Sequence, residues 1–204
     1  MNPELIADKI SNRHTSDQRR GQIARAALVC LTKVGYSGLT ARKVAAEAGI
    51  SLGHLTYHYD TMEAVLAAAY HLVAAELSPP LVTGAAGLTP AARFEAFLHT
   101  VFAPQNLTDA ALRLRVDFWS AALTNPAIAA IESNLNDQMR ARVEGHLSAI
   151  SDPWKTGRIP MVEGFVLATM DGLWLDYMRH RDLDAIEAAI EAMVLFARMR
   201  LGGT

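Results

Sequence analysis

A short run of polar and aromatic side chains between residues 51 and 58 carries the groups best suited to contact a nucleic acid. These residues surround a single apolar one, Leu55, so a helix built from them has one anchor in the core and one face free for contact. Hydroxyl, imidazole and phenol groups on such a face can hydrogen-bond to base edges or to adjacent phosphates. The residues that we place there are Ser51, Gly53, His54, Thr56, Tyr57 and His58.

Two short helices are predicted to position these side chains. Thr40 can cap a first helix over residues 41–48, and Gly49 suits the left-handed residue that ends it. Ser51 offers a second cap, for a helix over residues 52–59. This is the order of a helix-turn-helix, whose second helix enters the major groove of DNA. An ordinary helical corner with solvated polar residues is the alternative that the spacing leaves open.

Charge is divided unevenly along the chain. The net charge is −2 over 204 residues, yet residues 9–59 hold eight Lys or Arg against two acids, a local balance of +6. A basic segment of this kind is the electrostatic footprint of phosphate binding, although a solvated basic face would give the same count. We expect Arg42 and Lys43 to contact phosphates, and Thr40 to contact one through its hydroxyl or its backbone N–H.

The segment from residue 40 to residue 66 resembles the TetR family of bacterial regulators, whose recognition helix reads roughly Leu-Tyr-x-Tyr-Phe. The chain departs from that pattern at His58, where the family usually has a phosphate-contacting tyrosine, and at Leu52 and Met62, where lysine is frequent. The matching residues are Thr40, Arg42, Lys43, Ala45, Ala48, Gly49-Ile50-Ser51, Gly53, Leu55, Tyr57-His58-Tyr59 and Glu63-Ala64-Val65-Leu66.

Composition and periodicity predict an all-α fold. Hydrophobic residues make up 51% of the chain and charged residues 20%, strand-like alternation is missing, and apolar residues recur at helical spacing through nine segments. Nine helices is also the TetR-like number. The resemblance implies three parts: a flexible N-terminal arm over residues 1–15, a helix-turn-helix DNA-binding domain over 16–62, and a C-terminal helical ligand-binding and dimerisation domain over 63–204.

Small residues recur every four positions in the penultimate helix, where two interior glycines would be costly without a close neighbour. Close approach of another helix explains them, and packing inside one monomer is the alternative. The resemblance implies a homodimer held by the last two helices, which would read a palindromic double-stranded operator. The interface residues that we predict are Gly164, Phe165, Ala168 and Gly172, with Ile186, Ile190, Met193, Val194 and Ala197.

The C-terminal part contains aromatic and acidic residues that could form an effector pocket, although aromatics at helical spacing are more often core. An acid beside Trp and Tyr is suited to holding a cation. Residues 114–136 and 170–178 are similar to the branch of the family that includes choline-responsive repressors of betaine synthesis, which implies a quaternary amine or another cation as effector. The predicted pocket residues are Phe97, Phe102, Asp117, Phe118, Trp119, Met170, Asp171, Trp174 and Tyr177.

Other classes of protein find little support. The chain has neither a glycine-rich phosphate loop nor a nucleophile elbow, and its single cysteine excludes a disulfide framework and a multi-thiolate metal site. We therefore expect no catalytic site, metal or cofactor, no membrane helix and a cytoplasmic protein. The resemblance implies a repressor released from its operator by a small-molecule effector. The alternatives are a helical protein-interaction adaptor without DNA binding and a small-molecule-binding enzyme.

Overall fold

The structure is a computed structural model that describes residues 3–77 and 87–202. Over these residues it contains nine α-helices, two short 3₁₀ helices and no strand, which confirms the all-α prediction. The α-helices are α1 (Pro3–Val34), α2 (Ala41–Glu47), α3 (Leu52–His58), α4 (Met62–Leu77), α5 (Pro90–Val101), α6 (Asp109–Ala122), α7 (Pro126–Ile150), α8 (Ile159–His180) and α9 (Leu183–Leu201). The 3₁₀ helices are Pro104–Asn106 and Pro153–Arg158.

Local capping signals set the helix starts. Thr89 accepts a hydrogen bond from the backbone N–H of Ala92 at 3.2 Å, and a proline follows it at the first helical position. Thr108 and Asn125 cap α6 and α7 in the same way, since each side-chain oxygen accepts from a backbone N–H of the following turn. The predicted starts of these three helices are confirmed, because each cap satisfies a donor that the helix itself leaves unpaired.

The first helix is longer than expected. We predicted a flexible arm over residues 1–15, but α1 begins at Pro3 and runs without a break to Val34. Proline suits a first helical turn, and no glycine or second proline occurs before Gly21 to interrupt the helix. Residues 1 and 2 lie outside the described part of the chain. The helix ends as predicted, with Gly35 in the left-handed region at φ 69°.

The chain forms two compact units that do not follow the predicted boundary at residue 62. Unit 1 runs to Leu77 and includes Arg113–Ser133, and unit 2 comprises the segment ending at Leu112 and the chain from Asn134 onward. Helix α4 belongs to unit 1 because it packs along α1. The predicted break over residues 82–88 lies mostly outside the described residues. The structural units and the functional domains are therefore divided differently.

Each unit has its own core. In unit 1, α1 packs against α2, α3 and α4 around Ile23, Leu31, Val44 and Val65, all of which are fully buried. In unit 2, α9 packs against α5, α8 and the 3₁₀ helix Pro153–Arg158. The buried side chains of that core include Phe94, Leu98, Val166, Ile190, Met193 and Leu201. These two cores hold the elements on which the predicted site residues lie.

Candidate functional site

The turn between α2 and α3 has the geometry predicted for a helix-turn-helix. Thr40 Oγ1 accepts from the backbone N–H of Lys43 at 3.3 Å, and Ser51 Oγ accepts from that of His54 at 3.2 Å. Gly49 has φ 66°, a conformation that costs an L side chain energy and that glycine adopts freely. The Ile50 N–H donates to Ala45 O at 3.0 Å and closes the turn.

Helix α3 has one buried side and one open side. Leu55 is 2% exposed, and the residue that caps the C-terminus of the helix, Tyr59, is also buried. Tyr57 is 81% exposed, although a large aromatic side chain would normally seek the core. Ser51, Gly53, His54 and Thr56 are exposed and His58 is half-buried. Apart from the half-buried His58, the structure thus brings the predicted DNA-contacting residues of α3 together on its open side.

Three aromatic rings cluster on that side. The His58 ring lies 5.0 Å from the His54 ring and 5.1 Å from the Tyr57 ring, both edge to face. Burial lowers the pKa of His58, and the nearby His54, Arg19 and Arg20 lower it further. His58 is therefore neutral at pH 7. It offers an imidazole hydrogen-bonding group where the resemblance has a tyrosine hydroxyl, and it adds no positive charge.

The basic residues near this helix are not equivalent. Arg42 is exposed, and no hydrogen bond or ion pair of its side chain is formed within residues 3–77 and 87–202. Lys43 Nζ donates to Gly38 O at 2.7 Å and keeps its remaining donors. Lys33 pairs with Glu47 at 2.8 Å. Arg42 is thus the better placed of the two predicted phosphate contacts.

The local sequence pattern did not reveal the role of Arg20. Its Nη1 donates to the backbone carbonyl of His58 at 2.8 Å, where α3 ends. Arg20 entered the prediction only as one positive charge among eight. The one available signal was the tyrosine at position 59, where the family pattern has phenylalanine, because its hydroxyl needs a partner when it is buried.

Six of the predicted pocket residues lie in unit 2. The Phe102 and Trp174 rings are 4.9 Å apart and both are buried, as is Met170. The Phe97 ring stacks on His146 at 4.7 Å, and burial, together with the charge of Arg93, lowers the pKa of that histidine. The guanidinium of Arg181 lies 5.5 Å from the half-buried Tyr177 ring, and Asp171 is exposed on α8.

The other three predicted pocket residues lie in unit 1. Asp117 Oδ2 accepts from the backbone N–H of Tyr36 at 2.9 Å, so this carboxylate holds the corner that follows α1. The Phe118 ring packs 4.4 Å from Tyr70 of α4. Arg115 lies 6.0 Å from the Trp119 ring centroid. Asp117 and Phe118 thus join α6 to the helices that carry the helix-turn-helix.

The predicted dimer residues fall into two groups. Gly164, Ala168 and Gly172 form an exposed stripe on α8 beside Phe165, and a Cβ added at either glycine would meet no atom within 4 Å. The five predicted residues of α9 are instead buried inside the protomer: Ile186, Ile190, Met193, Val194 and Ala197. They are corrected here to core residues, because α9 turns this face toward its own unit. Its outward face carries Ala188, Ala192, Leu195 and Met199.

Comparison with known families assigns both parts of the chain. Residues 23–69 match the model of the tetR family of bacterial regulatory proteins, and residues 90–197 match that of the BetI-type transcriptional repressor C-terminal domain. The chain belongs to the TetR family. It is a ligand-responsive, DNA-binding transcriptional regulator, as the resemblance implied, and it is not an enzyme. The adaptor alternative is not favoured either.

Individual relatives agree with the family assignment. The regulator BetI of Stenotrophomonas maltophilia is 26% identical over 159 residues, which cover 77% of this TetR-family chain and 80% of the relative. A transcriptional regulator from Pseudomonas aeruginosa superposes with a TM-score of 0.72 at 27% identity, over 91% of this chain and 94% of that one. A regulator from Saccharomonospora viridis, solved in complex with choline, shares the fold with a TM-score of 0.71 at 16% identity, over 87% and 96%.

Two searches of the described residues define what else this regulator contains. None of their helices is long and apolar enough to cross a membrane. No group of three or more His, Cys, Asp or Glu side chains in the same residues is placed to hold a metal ion. Cys30 is buried, as its place between apolar residues of α1 predicted.

Proposed function

We propose that this TetR-family regulator is a homodimeric repressor that reads a palindromic operator with α3 and leaves it when a small organic cation binds unit 2. The observation that carries the DNA-binding part is the open side of α3, where Tyr57 is 81% exposed beside His54 and Thr56. A protein that did not use this face would gain nothing from an exposed aromatic ring there.

DNA contact is divided between two kinds of residue. Gly53, His54, Thr56 and Tyr57 of α3 meet base edges or the phosphates next to them, and His58 contacts the duplex as a neutral group. Thr40, Arg42 and Lys43 meet phosphates at the start of α2. Contacts of the second kind fix the register of the protein on the duplex, and those of the first kind read sequence.

Two-fold symmetry supplies the second half-site. Two recognition helices held about 34–36 Å apart fit successive major grooves on one side of the duplex. We assign the dimer contact to the exposed stripe of Gly164, Ala168 and Gly172, together with Phe165 and the outward face of α9. Small residues on α8 allow the backbone of a partner helix to approach closely.

The effector that we propose is a quaternary amine. Support comes from the BetI-type C-terminal domain and from the aromatic pair Phe102 and Trp174, with Tyr177 on the same helix as Trp174. Aromatic faces attract a cation that has been stripped of water, and a carboxylate adds a counter-charge. Asp171 lies one helical turn from Trp174 and is our candidate for that charge.

Replacing Tyr57 with alanine tests the DNA-binding face. The duplex is first selected from a random library with the wild-type protein. We expect Tyr57→Ala to weaken binding of that duplex about tenfold or more, because a specific contact contributes roughly 1–3 kcal/mol, while the thermal melt stays unchanged since the ring is exposed. Trp154→Ala is the matched control, because this ring is 79% exposed in unit 2 and has no proposed DNA role. Equal effects of the two substitutions would refute the assignment.

Calorimetry tests the effector. We expect choline and tetramethylammonium to bind, and 3,3-dimethylbutan-1-ol, a neutral molecule with the shape of choline, to bind far more weakly. Asp171→Asn should weaken choline binding, whereas Asp137→Asn, at another exposed acid of unit 2, should not. Equal affinity for choline and its neutral counterpart would contradict a cation site, and choline binding that leaves operator affinity unchanged would contradict its role as effector.

A further inference from the structure

Helix α3 is too short to hold its own direction. It has seven residues, of which Leu55 alone is buried, and a helix of this length is unstable by itself in water. Its start is fixed by the Ser51 cap and the Gly49 turn. The direction in which α3 presents Tyr57 therefore depends on what holds its other end.

The C-terminal end of α3 is held by α1. Arg20 Nη1 donates to the backbone carbonyl of His58 at 2.8 Å, although 38 residues separate the two in sequence. The last carbonyls of a helix lack partners within the helix, and a cation placed there also opposes the negative end of the helix dipole. One guanidinium thus satisfies an acceptor and a partial charge at the same point.

Tyr59 completes this contact in the opposite direction. The Arg20 guanidinium lies 4.4 Å from the centroid of the Tyr59 ring, a distance typical of a cation–π contact. The Tyr59 hydroxyl donates to the Arg20 carbonyl at 3.1 Å. Tyr59 is buried and directly follows α3, so its ring and hydroxyl bind the end of the recognition helix to α1. Phenylalanine at this position would keep the ring contact and lose the hydrogen bond.

We propose that Arg20 and Tyr59 form a clamp that sets the direction of the recognition helix, and that Arg20 is a positioning residue and not a phosphate contact. The proposal rests on the proposed reading of DNA by α3. The guanidinium has one N–H on His58 O and one face on Tyr59, whereas the side chain of Arg42 stands open at the start of α2. Both cations are exposed, so charge counting along the sequence does not separate them.

Salt dependence distinguishes the two roles. Arg20→Gln, Tyr59→Phe and Arg42→Gln are titrated with the duplex selected by the wild-type protein and with a scrambled duplex, over a series of salt concentrations. A lost phosphate contact makes the slope of log K against log salt shallower by about 0.9. We expect this change in Arg42→Gln alone.

The clamp variants should lose discrimination between duplexes. We expect Arg20→Gln and Tyr59→Phe each to bind the selected duplex about fivefold more weakly, the size of one lost hydrogen bond, and to bind the scrambled duplex as the wild type does. The double variant should lose less than the product of the two single losses, because the residues act together. A shallower slope for Arg20→Gln, additive losses, or unchanged binding of the selected duplex by both variants would each overturn the proposal.

Hydrogen exchange tests the clamp without DNA. In both clamp variants the amides of Leu55 and Tyr59 should exchange about fivefold faster, by the same reckoning, while the amides of α8 keep their rates. Unchanged exchange in α3, or faster exchange throughout the protein, would overturn the clamp. If the wild-type protein selects no duplex, the proposed function fails, and the exchange measurement still decides between a clamp and a free arginine.

Discussion

At the scale of single residues, Tyr70 has a buried hydroxyl that no hydrogen bond satisfies within the described residues. Its ring packs on Phe118 at 4.4 Å, and burial raises the pKa of the phenol, as does the nearby charge of Asp117. A buried hydroxyl without a partner costs free energy on folding. The ring stabilises the core of unit 1, and the hydroxyl opposes that effect.

Replacing Tyr70 with phenylalanine should therefore stabilise the protein. We expect the free energy of unfolding to rise by about 1 kcal/mol, because the substitution removes the unpaired group and keeps the ring. Urea denaturation measures the change. Tyr59→Phe is the matched control and should lower stability, since it breaks the bond to Arg20 O at 3.1 Å. A larger loss in Tyr70→Phe than in Tyr59→Phe would show that the hydroxyl has a partner, such as a bound water.

The residues that sequence revealed differ physically from those that it missed. Thr40 and Ser51 cap their helices through bonds to residues only three positions ahead, so a local pattern was enough to identify them. Arg20 and Asp117 bond to atoms 38 and 81 residues away in sequence. Contacts at that range depend on how helices pack, and helical periodicity does not specify the packing partner.

At the scale of secondary-structure elements, α6 stabilises the corner after α1. Asp117 Oδ2 accepts the Tyr36 N–H at 2.9 Å, and a Cβ at Gly35 would lie 3.3 Å from the same oxygen. Gly35 also has φ 69°, so glycine is required there for both conformation and space. This corner leads directly to α2, and Asp117 therefore helps to set where the helix-turn-helix begins.

Asp117→Ala should destabilise unit 1 by about 1–2 kcal/mol, because it leaves a half-buried backbone N–H without its acceptor. Chemical denaturation measures the loss. Asp109→Ala on the same helix is the control: its ion pair with Arg181 is largely exposed and should contribute less than about 1 kcal/mol. Similar losses in the two variants would mean that the Asp117 bond does not stabilise the corner.

The final helix shows how far periodicity reaches at this scale. Apolar spacing predicted its extent correctly, and α9 runs from Leu183 to Leu201. The same spacing placed Ile190 and Met193 at a dimer interface, whereas both are fully buried inside the protomer. An apolar stripe identifies the face of a helix that is buried but not the helix that covers it, and here α5 and α8 cover it.

At the scale of the whole molecule, symmetry requires a surface on which two copies can meet. Unit 2 exposes Phe165, Leu195 and Met199 beside the small-residue stripe of α8, although large apolar side chains are normally buried. Exposed apolar side chains grouped in this way commonly mark a protein interface. We infer that a second copy covers them, because one recognition helix alone reads only half of a palindrome.

Gly172→Leu tests this assembly, since the added side chain would stand in the groove that the partner helix must enter. We expect the dimer to dissociate at least about a hundredfold more readily, because overpacking costs roughly 1–3 kcal/mol and a two-fold interface carries the substitution twice. Sedimentation measures the dissociation. Gly145→Leu is the control, because this glycine is equally open and lies on α7. Both substitutions raise helix propensity, so loss of the dimer in Gly172→Leu alone would not reflect unfolding. A stable Gly172→Leu dimer would place the interface on another surface.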